Sequence, residues 1–222
     1  MLSLVIAESA LELVPLELQR HNSVIAHSRR FNKKPSEILL DISWHFAAMK
    51  GIRNEIKRGR PDLVHFSLLE ACSIPLYFEN KLNVFVHTID DKVISVGQNV
   101  RLPKSYHRFI GLVEKLYATK KIEENNDILL EIKQMSFGEL IKKINPKQTI
   151  ALSSKGIKSS YQNVASEMDD NTCLIVGGFS KGQFSDTIRD YFNKTVSVDK
   201  NPLEAHIIIS RVLYEYEKRI IM

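Results

Sequence analysis

Short apolar runs alternate with amphipathic stretches along this chain. Leu2-Ser-Leu-Val-Ile-Ala7, Thr149–Ser153, Cys173–Val176 and Val196–Val198 each have the length of a buried strand. Leu82–His87 and Val93–Val96 read as two more strands, joined by a turn at Asp90-Asp91, and Asp127–Ile132 as another. Helical spacing appears at Tyr106, Phe109, Ile110, Val113, Leu116 and Tyr117, which predicts a helix from Pro103 to about Ala118. Ala205, Ile208, Ile209, Val212, Leu213 and Tyr216 trace a second stripe. Asn201 reads as the cap of that last helix, Pro202 as its first residue, and Glu204 as an acid in its first turn. Pro35 opens a helix through Lys50, whose apolar face combines Ile38, Leu39, Ile42, Trp44–Phe46 and Met49. Leu63–Ala71 reads as another helix, with shorter ones at Leu11–Leu18, Phe137–Ile144 and Ser159–Met168. His27–Lys34 and Lys120–Asp127 read as charged loops. Strands interleaved with helices predict one α/β domain, with an insertion between about residues 20 and 125.

Composition narrows the class. The 222 residues are 44% hydrophobic and 26% charged, a globular balance. No apolar run approaches the ~20 residues of a membrane span, so no membrane partner is expected. The first residues lack a basic segment and carry acids early, unlike a secretory signal. Cys72 and Cys173 are far apart, with neither metal nor disulfide spacing, which fits a reducing, cytoplasmic setting. His65 and His87 lack a ligand-spaced partner and read as structural histidines, so no metal is expected. The net charge of +5 is compatible with an anionic partner, and its distribution matters more than its size.

Three stretches carry candidate chemistry. In Thr172–Leu203, Gly177, Gly178 and Gly182 follow one strand, and Asn201-Pro202 follows another. They read either as a ligand loop at the edge of an α/β sheet or as ordinary turns. The G-G-x-x-x-G spacing matches neither the dinucleotide fingerprint nor the phosphate loop. Ser153-Ser154-Lys155-Gly156 is a further small-residue turn at a strand end. The basic tract Lys50–Arg60 ends in Gly59-Arg60-Pro61-Asp62, where Pro61 pushes Arg60 out of the helical region. Asp62 is then either a plain helix cap or a carboxylate that orients Arg60 or handles a proton. Arg101, Lys104 and Arg108 gather at one helix start, with Lys104 and Arg108 four apart on one face. They suit phosphate contacts or a solvated surface.

Together, Arg60-Pro-Asp-Leu-Val-His-Phe66, Asn83-Val-Phe-Val-His-Thr88, Arg101-Leu-Pro-Lys-Ser-Tyr-His-Arg-Phe109, Val176-Gly-Gly-Phe-Ser-Lys-Gly182 and Val196–Leu203 carry a resemblance. In order and over nearly the whole chain, they resemble the ribosome-biogenesis pseudouridine N1-methyltransferases of the SPOUT superfamily, in their archaeal form. The resemblance implies a C-terminal trefoil knot, a homodimer and S-adenosylmethionine bound in the knot. It places Ser154, Gly177, Gly182 and the run Val198, Asp199, Lys200, Asn201, Pro202, Leu203 around that cofactor. It implies small-subunit rRNA contacts by Arg60, Arg101, Lys104 and Arg108, with Asp62 holding Arg60. Lys104 stands where the family commonly has Arg, and Lys181 where it commonly has His. Lysine at the first position makes a point-charge contact rather than a bidentate one. The competing class is a non-catalytic rRNA-binding assembly factor with the same fold.

Overall fold

In the computed structural model, which describes residues 1–221, eight strands form one sheet in the order β4-β5-β3-β2-β1-β7-β6-β8. The strands are β1 (Leu2–Ser9), β2 (Leu82–Thr88), β3 (Lys92–Val96), β4 (Lys121–Glu124), β5 (Asp127–Gln134), β6 (Gln148–Lys158), β7 (Thr172–Gly177) and β8 (Lys194–Ser197). The helices are α1 (Asn22–Arg30), α2 (Ile42–Met49), α3 (Pro61–Ala71), α4 (Pro75–Phe78), α5 (Tyr106–Thr119), α6 (Phe137–Ile144), α7 (Tyr161–Glu167), α8 (Asp186–Arg189) and α9 (Ala205–Ile220).

β1 lies in the middle of the sheet, parallel to β2 on one side and β7 on the other, and β6 and β8 continue the parallel set. Its composition explains the position. Leu2, Leu4 and Ile6 enter one core, while Val5 and Ala7 enter a second core on the opposite face. A strand covered on both faces is mostly apolar rather than alternating. The first core packs the sheet against side chains from α3, α5, α7 and α9. The second packs it against Phe137 and Leu140 of α6 and Ile188 of α8. Burying such side chains stabilises by about 1.5–3 kcal/mol each. β3, β5 and β4 extend the sheet antiparallel from β2. β2 falls within the span 20–125 yet pairs with the centre of the sheet, so that span contributes core strands as well as peripheral elements. A third apolar cluster, Val14, Leu18, Val24, Ile38, Leu40, Ala48 and Met49, holds α1 and α2 together.

Several boundaries differ from the sequence expectation. Much of His27–Lys34 is helical: α1 is capped by His21, whose Nδ1 accepts the Ser23 N–H, and its cations fall in the last turn, where the helix dipole favours them. The helix expected from Pro35 to Lys50 is a single 3-10 turn, Pro35–Glu37, an extended stretch and then α2. Tertiary hydrogen bonds keep that stretch extended: Leu39 N–H donates to Glu114, and Leu40 N–H to the Glu12 carbonyl. Trp44 and Phe46 consequently stand 36% and 59% exposed rather than on a buried face. Leu11–Leu18 keeps only the 3-10 turn Leu16–Leu18. Lys120–Asp127 is the hairpin of β4 and β5, closed by Asn125 and Asn126 with φ 52° and 69°. Positive φ at both central residues is what a tight hairpin turn requires.

α5 begins at Tyr106, not Pro103, because the Pro103 carbonyl is engaged by His65 Nε2 at 2.7 Å. Lys104 therefore precedes the helix and does not share a helical face with Arg108. The turn expected at Ser153–Gly156 is instead an irregularity inside β6, where pairing with β8 breaks between Leu152 and Ile157. α9 begins at Ala205 rather than Pro202. Asp199 Oδ1 accepts the Asn201 N–H at 2.8 Å, and Ser197 Oγ donates to the Asp199 carbonyl at 2.9 Å. These local bonds keep residues 198–204 out of the helix.

Candidate active site

A cleft of about 550 Å³ opens where the β6–β7 pairing ends at Leu152 and Val176, beyond the C-terminal ends of β7 and β8. That edge of a parallel sheet is where α/β folds place ligands. Three segments form its wall. Leu152, Ser153 and Ser154 come from β6; Val176, Gly177 and Phe179–Phe184 continue β7; and Ser197–Asp199 with Asn201–Ala205 lead from β8 into α9. Ser154, Gly177, Gly182, Val198, Asp199, Asn201, Pro202 and Leu203 thus meet at one cleft, while Lys200 is exposed and off its wall. Gly182 has φ +104°, a region side chains rarely adopt. Sequence reading missed Gln183, whose Oε1 accepts from Ser153 Oγ at 2.9 Å and ties two cleft segments together. It also missed Glu204, which lines the mouth.

The loop after β7 is braced from below by the basic tract. Lys57 Nζ donates to Glu8 Oε2 at 2.8 Å and sits 4.6 Å from the centre of the Phe179 ring. Glu8, at φ 48°, also accepts the Ser185 N–H at 3.1 Å. Ser180 Oγ donates to the Ile56 carbonyl at 3.1 Å. Beside this, Arg58 grips Glu12 with two hydrogen bonds of 2.7 Å. Burial raises the Glu12 pKa even as Arg58 opposes it, while the bond to Glu12 raises that of Arg58. Lys57 and Arg58 are therefore interior struts, not surface charge. The available signal was Glu8 itself, an acid in the last residues of a mostly apolar strand, next to its end at Ser9.

The same tract delivers Arg60. Gly59, at φ 68°, turns the chain, and its carbonyl accepts the Ile42 N–H at 2.9 Å. Pro61 is the first residue of α3, leaving Arg60 non-helical at φ −128°, ψ 62°. Asp62 makes no cap, since no side chain caps α3. Its two oxygens instead accept from Arg60 Nε and Nη2 at 2.8 and 2.7 Å, a bidentate pair that fixes the guanidinium plane. The Asp62 hydrogen bond raises the Arg60 pKa, and the charges of Asp62, Glu204 and Asp41 add to it. Glu204 thus brings the cleft mouth within electrostatic reach of Arg60. Arg101, Lys104 and Arg108 are exposed, and the His65–Pro103 bond anchors their segment to α3. His87 hydrogen-bonds Asp91 through Nε2 and accepts the Glu8 N–H through Nδ1.

The fold and cleft define a mixed α/β protein with a ligand-sized opening at its parallel-strand edge and an Arg–carboxylate pair nearby. The EMG1/NEP1 methyltransferase family model matches residues 4–217. The ribosomal RNA small subunit methyltransferase Nep1 of Staphylothermus marinus is 40% identical over 214 residues, 96% of this chain and 93% of that protein. The one from Thermococcus sibiricus is 39% identical over 219 residues, 98% of each. The crystal structure of Archaeoglobus fulgidus Nep1 bound to S-adenosylhomocysteine superposes with a TM-score of 0.87 at 32% identity, covering 97% of both chains. This chain belongs to the EMG1/NEP1 methyltransferase family.

Proposed function

We propose that this protein transfers a methyl group from S-adenosylmethionine to ring N1 of a pseudouridine in small-subunit rRNA, as a step in small-subunit biogenesis. The carrying observation is a cofactor-sized cleft whose Phe179–Phe184 loop is held by the tract that ends in the Arg60–Asp62 pair, in a chain of a methyltransferase family. The cleft residues fit the cofactor. Leu152, Val176, Leu203 and Ile208 offer an apolar wall for a flat base. Ser154, Asp199 and the backbone at Gly177, Gly182 and Asn201 offer polar groups for its remainder.

When bound, S-adenosylmethionine supplies a methyl already activated by its sulfonium, so placement matters more than covalent help. The chain's own residues supply the rest. Arg60, kept cationic, stabilises the negative charge that develops on the base as its N1 proton leaves. Both Asp62 oxygens are occupied by Arg60, which favours an orienting role over proton acceptance. Arg60, Arg101, Lys104 and Arg108 contact the RNA, with the peripheral elements of residues 20–125 serving as an RNA-binding addition. The base is reached outside a duplex, in a loop or flipped out.

The same reading gives a homodimer, supported by exposed Phe66, Ile157 and Tyr214 at 48%, 70% and 52%. It gives a trefoil knot at the cleft, supported by the parallel β7-β6-β8 set and the looped 198–204 segment. It also gives a cytoplasmic site of action. No helix among the described residues is long and apolar enough to cross a membrane.

Mass spectrometry of small-subunit rRNA incubated with methyl-labelled cofactor tests the reaction. The expected product is one methyl on pseudouridine, absent when the same RNA carries uridine, whose ring N1 is the glycosidic nitrogen. RNA binding without cofactor binding or methyl transfer would favour an assembly factor instead.

A further inference from the structure

The proposed reaction does not account for the surface formed by α1, α2 and α5. A small cavity of about 80 Å³ opens there, lined by Phe31, Lys33, Trp44, Tyr106, His107 and their neighbours. Phe31, just after α1, and Trp44 in α2 are 47% and 36% exposed, although both helices supply the third apolar cluster. Their rings meet edge-on, with centroids 6.3 Å apart. The His27 ring stacks on Trp44 at 4.6 Å and 7°. The Arg30 guanidinium lies over the same indole at 5.2 Å, and makes no hydrogen bond or ion pair within the described residues.

The platform beneath is hydrogen-bonded throughout. The Asp41 N–H donates to His45 Nδ1 at 3.1 Å, so neutral His45 carries its proton on Nε2, which donates a hydrogen bond to His27 Nδ1 at 2.9 Å. Burial lowers the pKa of both rings, to about 4 for His45. The nearby acids are already engaged. Asp41 accepts from Ser43 N–H and from Tyr106 OH, and Glu114 accepts from Leu39 N–H and pairs with Lys33. The surface left over is aromatic, with exposed His107 on its lining and the Arg30 cation over the indole, while Lys34 beyond it pairs with Glu37. Tyr106 OH donates to Asp41, and the next residue, Ile42, donates its N–H to the Gly59 carbonyl, so this surface is tied to the residue before Arg60.

We propose that this cavity is a stacking site for one unpaired base of the RNA substrate, separate from the base that receives the methyl. The inference rests on the functional reading above for the identity of the RNA. Arg30 is held chiefly by the indole face, so it can swing to a phosphate while a base takes its place on Trp44, with Phe31 as a wall. Aromatic stacking accepts any base, and a neighbouring arginine adds a phosphate contact. A basic or purely apolar protein partner fits less well, because Arg30 puts a cation beside the ring, and an acidic peptide would use that cation but leave the exposed indole face unfilled.

Trp44 is the single tryptophan of the chain, so its fluorescence reports on this site alone. Titration of the intact protein with a small-subunit rRNA fragment should quench it, whereas inorganic polyphosphate at equal charge should not. Trp44→Ala should weaken RNA binding by roughly 5- to 150-fold, the range for a lost base–aromatic stack, with the salt slope unchanged. Phe31→Ala, at an exposed position, serves as a second variant and should weaken binding in the same sense. RNA that binds and is methylated with no change in Trp44 fluorescence would overturn the subsite and leave the reaction standing. Parental RNA affinity in both variants would do the same and return this face to a protein partner. Failure of the parent protein to bind RNA at all would remove both readings together.

Discussion

The buried Glu8–Lys57 pair makes the sharpest prediction, because one substitution should register in both stability and cofactor binding. Lys57→Met keeps most of the side-chain stem and removes the charge. The two side chains are only 9% and 11% exposed, so solvent cannot replace the lost partner. Breaking a buried pair from one side costs about 3–5 kcal/mol, chiefly through the charge left behind. Glu8 would still accept the Ser185 N–H, which favours the lower end, about 3 kcal/mol. At roughly 2–4 °C per kcal/mol for a chain of this size, the melting temperature should drop by about 6–12 °C. Removing both charges, with Glu8→Gln and Lys57→Met together, should recover more than half of that loss. The loop from Phe179 to Ser185 stands on this pair and lines the cleft, so its ordering is linked to ligand binding. Differential scanning calorimetry with and without S-adenosylhomocysteine measures both effects. The ligand-induced rise in melting temperature should be smaller in Lys57→Met than in the parent. A drop below 2 °C, or a full loss of stability with an unchanged ligand-induced rise, would refute the bracing role.

Other perturbations probe the rest of the site. Asp62→Asn keeps the size of the side chain but loses the charged bidentate grip on Arg60. Turnover should fall by roughly 10²- to 10⁴-fold, and stability by no more than about 1 kcal/mol for a pair this exposed; single-turnover kinetics beside a thermal melt would check it. Gly182→Val forces a β-branched residue to φ +104°, at a strain of about 1–3 kcal/mol. Calorimetric titration should show cofactor binding lost while circular dichroism shows a folded protein. Acid should destabilise the fold. His27, His45, His65 and His87 all have pKa values lowered by burial, so the unfolded chain binds more protons below about pH 6.5. Stability should therefore fall from pH 6.5 toward 4, with His45 alone contributing at most about 3 kcal/mol. A flat denaturation midpoint across that window would contradict the buried, neutral histidines.

What the sequence disclosed depends on how far apart the interacting residues are. The central strands were legible because burial on both faces leaves a near-continuous apolar run, unbroken in Cys173–Val176 and interrupted in Leu2–Ala7 only by buried Ser3. Helix starts were less legible wherever a distant group claims the backbone. Pro103 cannot open α5 while His65 holds its carbonyl, and Leu39 cannot join a helix while Glu114 holds its N–H. The Asn125-Asn126 hairpin had a local signal in its residue types, which the surrounding charges obscured. The glycine-bearing loop and the Asp199–Leu203 segment were legible as separate small-residue turns, but only the parallel pairing of β7, β6 and β8 brings them to one cleft.

Arg60–Asp62 and Glu8–Lys57 show the limit most clearly. In the first pair the partners are two residues apart, with Pro61 between them fixing the backbone, so type and spacing already suggest the contact. In the second they are 49 residues apart, and each looked like something else. Lys57 was one cation in a tract that composition assigns to the surface, and Glu8 was an acid near the start of the chain. A buried charge demands a partner, yet sequence pattern records burial and not pairing. The tract Lys50–Arg60 consequently has two faces: Lys57 and Arg58 turn inward to pair with Glu8 and Glu12, while Arg60 stays partly exposed in its pair with Asp62. Net charge alone would have given all three the same role.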